Sequence, residues 1–190
     1  MDDTVIRQVL DGDVQAFRHL VKKYKDPSFN LARSILKSDL TAEEAVQDAF
    51  VKAFQNLHKF RKKAAFSTWF YRIVVNESLR KLKKKQLEFQ KTNDDEWNEK
   101  EYAIDPEVLD YMHAEEQKEI INSLLDRLTP SESLLLKLFY LEEKKTEEIS
   151  GITGLSLVNI KVTLHRARKH FALLYQQQFA TKNLIYEKRP

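Results

Sequence analysis

The chain of 190 residues contains no cysteine, three glycines and four prolines. The lack of cysteine excludes disulfides, thiolate metal sites and a catalytic thiol. The scarcity of glycine and proline, together with 32% charged residues, predicts a mostly helical chain with short loops. The sequence has no run of about 18 uncharged apolar residues, and its acidic start lacks the basic and apolar parts of a signal peptide. We therefore expect an intracellular protein that does not insert into a membrane.

Positive charge is concentrated in one stretch, although the net charge is only +3. Between Lys52 and Lys91, twelve Lys or Arg residues stand against two acidic ones. Within it, Phe60–Lys85 begins with an aromatic residue and carries four more, which are Phe66, Trp69, Phe70 and Tyr71. Aromatic rings among cations suit nucleic acid with exposed bases. The alternative interpretation is a buried helix with a solvated basic face.

Helical periodicity and capping signals predict an all-α fold with two small helical domains joined by a flexible acidic linker. The first domain spans residues 1–90, the linker 91–115, the second domain 116–178, and a loosely held tail 179–190. In the first domain, Asp13 is expected to cap the second helix and Pro27 to kink or interrupt it. Thr41 with Glu44 forms a capping box for the next helix.

Two further helices are expected to start at serine or threonine. Ser67 or Thr68 can cap the helix that carries the aromatic and basic residues. Thr129-Pro130-Ser131-Glu132 is a second capping box, with proline at the first helical position, where its missing amide costs nothing.

Residues 146–170 have the outline of a helix-turn-helix: a short helix capped by Thr146, a glycine turn, and a longer helix capped by Ser156 that runs to about Tyr175. One arc of the longer helix, with Leu157 among its members, is apolar and is expected to pack. The opposite arc carries Val158, Asn159, Val162, His165, Arg166 and Lys169, with Lys161 and Arg168 on its flanks. Short side chains near the N-terminus and cations beyond suit a recognition helix in the DNA major groove. An amphipathic packing helix with a solvated basic face is the alternative.

Several segments, in this order, resemble a bacterial sigma factor of the extracytoplasmic-function (ECF) group, which retains sigma regions 2 and 4. The resemblance covers roughly residues 4–175. It rests on AFRHLVKKYKDPSFNLARSIL, TAEEAVQDAFVKAFQNLHKF, FSTWFYRIVVNESLRKLKKK, LTPSESLLLKLFYLE and TEEISGITGLSLVNIKVTLHRARKHF. The sequence departs from the family pattern at Arg80, at Val162-Thr163 and at Gly151. These departures bear on which promoter sequence is preferred and not on the class of protein.

The resemblance implies a role for each matched residue. The polymerase-binding residues, which dock on the clamp helices of the largest catalytic subunit, are Glu44, Val46, Gln47, Asp48 and Phe50. The residues that open and read the −10 element are Phe66, Ser67, Thr68, Trp69, Arg72 and Asn76, followed by phosphate-binding Arg80, Lys81, Lys83 and Lys84. The residues that read the −35 element are Lys161, Val162, His165 and Arg166. The helix arc adds Ser156, Val158, Asn159 and Lys169 to this last group.

The predicted function is that of a sigma factor, which binds core RNA polymerase and directs promoter-specific initiation. The expected partners are core RNA polymerase, promoter DNA and an anti-sigma factor; no cofactor or small-molecule substrate is expected. An enzyme is disfavoured because the sequence has no P-loop and no metal-ligand cluster. Two alternatives are a helix-turn-helix repressor or activator that acts without polymerase, and a non-specific single-strand or RNA-binding module.

Overall fold

The computed structural model describes the backbone of residues 2–89 and 114–186 and the side chains of residues 2–84 and 119–178. Every regular element in these ranges is helical, which confirms the all-α prediction. The predicted linker lies outside the described residues, apart from its last two positions. Following the predicted division, we call residues 2–89 the N-terminal domain and residues 114–186 the C-terminal domain.

The N-terminal domain contains four α-helices. They are α1 (Asp2–Leu10), α2 (Phe17–Leu36), α3 (Asp39–Gln55) and α4 (Phe66–Phe89), with short 3-10 turns at Val14–Ala16 and Leu57–Lys59. The carboxylate of Asp13 accepts the backbone amides of Gln15 at 3.1 Å and Ala16 at 3.3 Å, so it caps the turn that leads into α2.

Two expected helix starts were wrong, and the expected interruption at Pro27 is absent. Helix α2 is continuous through Pro27, because its packing against α3 and α4 outweighs the cost of about 3 kcal/mol for an internal proline. Helix α3 begins at Asp39, so Thr41 lies inside the helix and is not its N-cap. The Asp39 carboxylate, in the first turn, suits the helix dipole. Helix α4 begins at Phe66, which places Ser67 and Thr68 inside its first turn rather than before it.

The core of the N-terminal domain is a cluster of aromatic rings. Phe70 is fully buried and lies 4.6 Å from the ring of Phe50 and 5.8 Å from that of Phe66. Tyr24 of α2 contacts both Phe66 and Phe70. These contacts join α2, α3 and α4 into one unit, since each helix contributes at least one ring.

The C-terminal domain also contains four α-helices. They are α5 (Ala114–Arg127), α6 (Pro130–Leu136), α7 (Thr146–Thr153) and α8 (Leu157–Tyr186), and α6 continues directly into a π-helical turn at Lys137–Leu141. The predicted capping box at α6 is confirmed: Glu132 receives the Thr129 backbone amide at 3.2 Å, and Thr129 receives that of Glu132 at 3.4 Å.

Helices α7 and α8 form the helix-turn-helix. Gly154 ends α7 at φ 76°, a left-handed conformation that glycine adopts without strain. The Ser156 hydroxyl then accepts the Asn159 amide at 3.2 Å, as predicted for an N-cap. The cap of α7 is Lys145 rather than Thr146, because the Glu148 carboxylate accepts the Lys145 backbone amide at 3.1 Å. Helix α8 extends to Tyr186, well past the predicted end near Tyr175.

The two domains are in direct contact. Helix α6 packs against α2, and helix α7 packs against α4. Within the described ranges, none of the helices is long and apolar enough to cross a membrane.

Two of the threonines expected to cap helices, Thr129 and Thr146, provide a matched test. Replacing Thr129 by Ala removes a side-chain cap and should lower the free energy of unfolding by about 1 kcal/mol. Thr146→Ala removes a threonine that does not cap α7 and should cost clearly less. Urea unfolding followed by circular dichroism measures both, and equal losses would contradict the assignment of the caps.

Candidate nucleic-acid and polymerase interfaces

One face of α8, together with Ser156, which caps the helix, presents all eight residues that were predicted to read the −35 element. This recognition face consists of Ser156, Val158, Asn159, Lys161, Val162, His165, Arg166 and Lys169, and each of its side chains is exposed. The opposite arc is packed, since Ile160, Leu164 and Ala167 are at most 2% exposed. Leu157 was expected to pack and is instead 41% exposed, because it stands in the first turn before the helix meets the domain.

The start of α4 presents the residues that were predicted to read the −10 element. We call Phe66, Ser67, Thr68, Trp69, Arg72 and Asn76 the melting face. Arg72 and Asn76 are exposed, and Trp69 is half-buried against the rings of Phe60 and Phe66. Phe66 is only 4% exposed, so its ring belongs to the aromatic core and is not available to stack on a base in this conformation.

The basic residues that follow the melting face differ in how they are paired. Lys83 and Lys84 are exposed. Arg80 and Lys81 lie beside the carboxylates of α3: Lys81 is 3.2 Å from Glu44 and 3.1 Å from Asp48, and Arg80 is 3.6 Å from Asp48. The structure therefore brings two predicted DNA-binding cations together with two predicted polymerase-binding carboxylates, which the sequence did not indicate.

The predicted polymerase-binding residues lie along α3, and three of them, Val46, Gln47 and Phe50, border a groove between α2 and α3. Glu44 and Gln47 are exposed, Asp48 and Phe50 are half-buried, and Val46 is 5% exposed. The groove has a volume of about 480 Å³, and its lining is mostly apolar. It is lined by Val21, Lys25, Asp26, Phe29, Glu43, Val46, Gln47 and Phe50. Among the described residues, no group of three or more His, Asp or Glu is placed to hold a metal ion.

Comparison with known proteins matches both halves of the chain to one family. Residues 20–88 match Sigma-70 region 2, and residues 118–171 match Sigma-70 region 4. A "Probable RNA polymerase sigma factor" of Haemophilus influenzae is 30% identical over 141 residues, which cover 67% of this chain and 73% of that protein. The ECF RNA polymerase sigma factor SigW of Bacillus subtilis is 28% identical over 170 residues, which cover 86% of this chain and 91% of SigW. The chain belongs to the ECF group of RNA polymerase sigma factors. The resemblance inferred from its motifs is thereby confirmed.

Solved structures share the fold of this sigma factor. The structure of CnrH in complex with the cytosolic domain of CnrY superimposes with a TM-score of 0.63 at 21% identity, over 92% of this chain and 96% of CnrH. The sigma factor RpoE of Bartonella quintana, in complex with the anti-sigma factor NepR, superimposes with a TM-score of 0.64 at 22% identity. The match covers 84% of this chain and 96% of RpoE.

Sequence reasoning missed the partners of the melting face, which come from the C-terminal domain of the sigma factor. The Thr68 hydroxyl donates to the Glu148 carboxylate at 3.1 Å. The Lys144 ammonium donates to the Ser67 hydroxyl at 3.0 Å. These residues are separated by about eighty positions, and no local pattern in the sequence indicates that they meet.

Sequence reasoning also missed Glu77, which organises the ion pairs between α3 and α4. Glu77 is 5% exposed, and its carboxylate accepts hydrogen bonds from Lys52 at 2.5 Å and Arg80 at 2.8 Å. Burial by itself would raise the pKa of Glu77, but the two hydrogen-bonded cations outweigh burial, so its pKa is lowered overall. The ionised carboxylate therefore stabilises the packing of α4 on α3.

Glu77→Gln should lower the free energy of unfolding at neutral pH by about 1–2 kcal/mol, because it weakens two hydrogen bonds to charged donors. A carboxylate with a lowered pKa stabilises the fold above its ordinary pKa near 4.5 and loses that contribution as the pH falls through the folded-state value. The difference between wild type and variant should therefore shrink in acid. Urea unfolding at a series of pH values measures it, with the exposed Glu43→Gln as the control. A difference that does not depend on pH would contradict the role of the Glu77 charge.

Proposed function

We propose that this ECF sigma factor docks on core RNA polymerase through α3, reads the −35 element with the recognition face and opens and reads the −10 element with the melting face. The observation that carries the proposal is the recognition face itself. The recognition face lies on α8, which follows the Gly154 turn and is capped by Ser156. The side chains of this face are exposed, and the opposite arc of α8 is buried.

The chemistry of the recognition face suits the major groove of duplex DNA. Val158 and Val162 are apolar and exposed, and such side chains contact the thymine methyl group. Asn159 can donate to and accept from a base edge. The cations further along the helix suit phosphates, so we expect binding to weaken steeply with salt.

Opening of the −10 element requires bases to leave the stack, at a cost of a few kcal/mol. Three side chains of α4 offer contacts to such bases: the aromatic ring of Trp69, the cation of Arg72 and the amide of Asn76. Lys83 and Lys84, which are exposed, can hold the phosphates of the separated strand. The groove between α2 and α3 supplies an apolar surface for the polymerase, flanked by the acidic residues of α3.

In this proposal the protein acts by binding and catalyses no reaction. Its place of action is the cytoplasm, at the nucleoid, where promoter DNA lies. We also propose an anti-sigma factor as a partner. The support is that one protein of the same fold is described in complex with an anti-sigma factor.

Sequencing of transcript starts tests the proposal. Core RNA polymerase mixed with this protein should begin transcripts at new, defined genomic positions that core polymerase alone does not use. Absence of both stable association and new starts would contradict the proposal. Binding to palindromic duplex sites without polymerase would instead indicate a conventional helix-turn-helix regulator.

Arg166→Ala tests the recognition face. The loss of one phosphate contact should weaken binding of the polymerase complex to a mapped promoter and reduce the slope of log affinity against log salt by about one. Arg127→Ala removes an exposed arginine of α5 outside the face and should leave the slope unchanged. Filter binding at several salt concentrations measures both, and equal slopes for the two variants would contradict the assignment.

A further inference from the structure

Arg80 is held along one edge of its guanidinium group. Its Nε and Nη2 atoms both donate to the same carboxylate oxygen of Glu77, at 3.0 Å and 2.8 Å. Within the described part of the chain, no residue accepts a hydrogen bond from Nη1, and the Asp48 carboxylate is 3.6 Å from Nη2, beyond hydrogen-bond distance. The side chain is 57% exposed. The end of the guanidinium group, formed by Nη1 and Nη2, is therefore left for a partner outside the protein.

The carboxylate that holds Arg80 is itself fixed in place. Glu77 is 5% exposed, and while its Oε2 atom holds Arg80, its Oε1 atom accepts a hydrogen bond from Lys52 of α3. The guanidinium group is thus oriented before DNA arrives. A side chain that is ordered in advance loses less conformational entropy when it binds.

Arg80 continues a line of exposed polar residues on α4. Arg72, Asn76 and Arg80 follow one another at intervals of four residues, which places them on one face of the helix. All three are exposed. Arg72 and Asn76 belong to the melting face, so Arg80 extends that face by one helical turn.

The neighbouring cation, Lys81, is engaged differently. Its ammonium lies 3.2 Å from the Glu44 carboxylate and 3.1 Å from that of Asp48, and its side chain is 20% exposed. Lys81 is therefore directed toward α3, whereas Arg80 remains open to DNA. The two adjacent cations have separate roles.

The open end of the Arg80 guanidinium matches one base in particular. Guanine presents two acceptors, N7 and O6, side by side on its major-groove edge, and arginine binds this pair with two hydrogen bonds. Adenine presents a donor beside its N7 acceptor and does not match. A phosphate also accepts two hydrogen bonds, but it is an anion and would meet the negative charges of Glu77 and Asp48 beside Arg80. A neutral base edge avoids that repulsion.

We propose that Arg80 determines specificity in this sigma factor: its Nη1 and Nη2 groups bind O6 and N7 of a guanine in the −10 element, and Glu77 is the positioning residue that presents them. The inference rests on the proposed function, because it takes α4 as the helix that meets −10 DNA. It replaces the phosphate-binding role that the family resemblance implied for Arg80.

Selection from a randomised promoter library tests the guanine contact. The library keeps the −35 element of a promoter mapped by transcript sequencing and carries random bases across the −10 element. Wild-type holoenzyme should enrich guanine at one −10 position about tenfold more than the Arg80→Lys holoenzyme, because lysine keeps the charge but lacks the fork. Lys84→Met removes an exposed cation and should weaken binding of all sequences alike, with the base preference unchanged.

Replacement of N7 by carbon in the selected guanine identifies the contact atom. 7-Deazaguanine keeps the Watson–Crick edge but removes one acceptor, so wild-type holoenzyme should bind it about fivefold more weakly than guanine. The Arg80→Lys holoenzyme should bind both bases within about twofold, because it lacks the two-bond contact. Two probes are used, one with a duplex −10 element and one with only its non-template strand. An effect on both probes means that the separated strand is read, an effect on the duplex alone means that the duplex is read, and no effect on either overturns the inference.

Glu77→Gln tests the positioning role. Loss of the carboxylate loosens the guanidinium group, so the guanine preference should fall by about threefold, and the same change in the Arg80→Lys background should cause no further fall. A purely structural role for Glu77 would weaken binding of every sequence alike and leave the base preference unchanged.

The outcomes distinguish this inference from the proposed function. New promoter-specific starts by the wild-type holoenzyme, with a guanine preference that Arg80→Lys abolishes, support both. Such starts without an enriched guanine in the −10 element, or with a preference that Arg80→Lys retains, would overturn the role of Arg80 and leave the proposed function intact. No starts by the holoenzyme would refute the proposed function, and the role of Arg80 would fall with it.

Discussion

The hydrogen bond between Tyr71 and Glu142 is the interaction on which the arrangement of the molecule depends. The Tyr71 ring is 2% exposed and belongs to the aromatic core, where it contacts Tyr24 and Phe70. Its hydroxyl leaves that core and donates to a carboxylate of the other domain. Burial and the nearby Glu142 raise the pKa of Tyr71, so the hydroxyl stays protonated and remains a donor. The rigid centre of one domain is thereby linked directly to the position of the other.

Ion pairs also join α3 to α4. Arg80 and Lys81 are surrounded by Asp48, Glu44 and Glu77, so a DNA phosphate that binds either cation must replace an ion pair inside the protein. The pairs with the solvent-accessible carboxylates of Glu44 and Asp48 are weak, which makes their replacement feasible. The carboxylates released in this way belong to the helix proposed to dock on polymerase. The cations proposed to bind the −10 strand and the carboxylates proposed to bind polymerase are therefore partners in the same ion pairs.

Local chemistry explains which features could be predicted from the sequence. The Thr129 capping box, the Ser156 cap and the exposed arc of α8 depend on residues within one or two helical turns, and all were predicted from spacing. The failures at Pro27 and Thr41 arose where packing against neighbouring helices and the helix dipole decided the outcome. Contacts such as Thr68 with Glu148 could not be predicted, because they depend on how two separately patterned domains meet. The burial of Phe66 has the same origin, since an aromatic ring in a helix carries no local sign of which side is covered.

The Tyr71–Glu142 hydrogen bond, together with the packing of α6 on α2 and of α7 on α4, holds the two domains of the free protein in one arrangement. The absence of cysteine allows two spin labels to be placed without background, at Lys22→Cys on α2 and Ser131→Cys on α6, both of which are exposed. Pulsed electron paramagnetic resonance then measures the distance between the two domains. If the domains keep this arrangement in solution, the free protein should give one narrow distance distribution. A broad distribution in the free protein would contradict a fixed arrangement of the two domains.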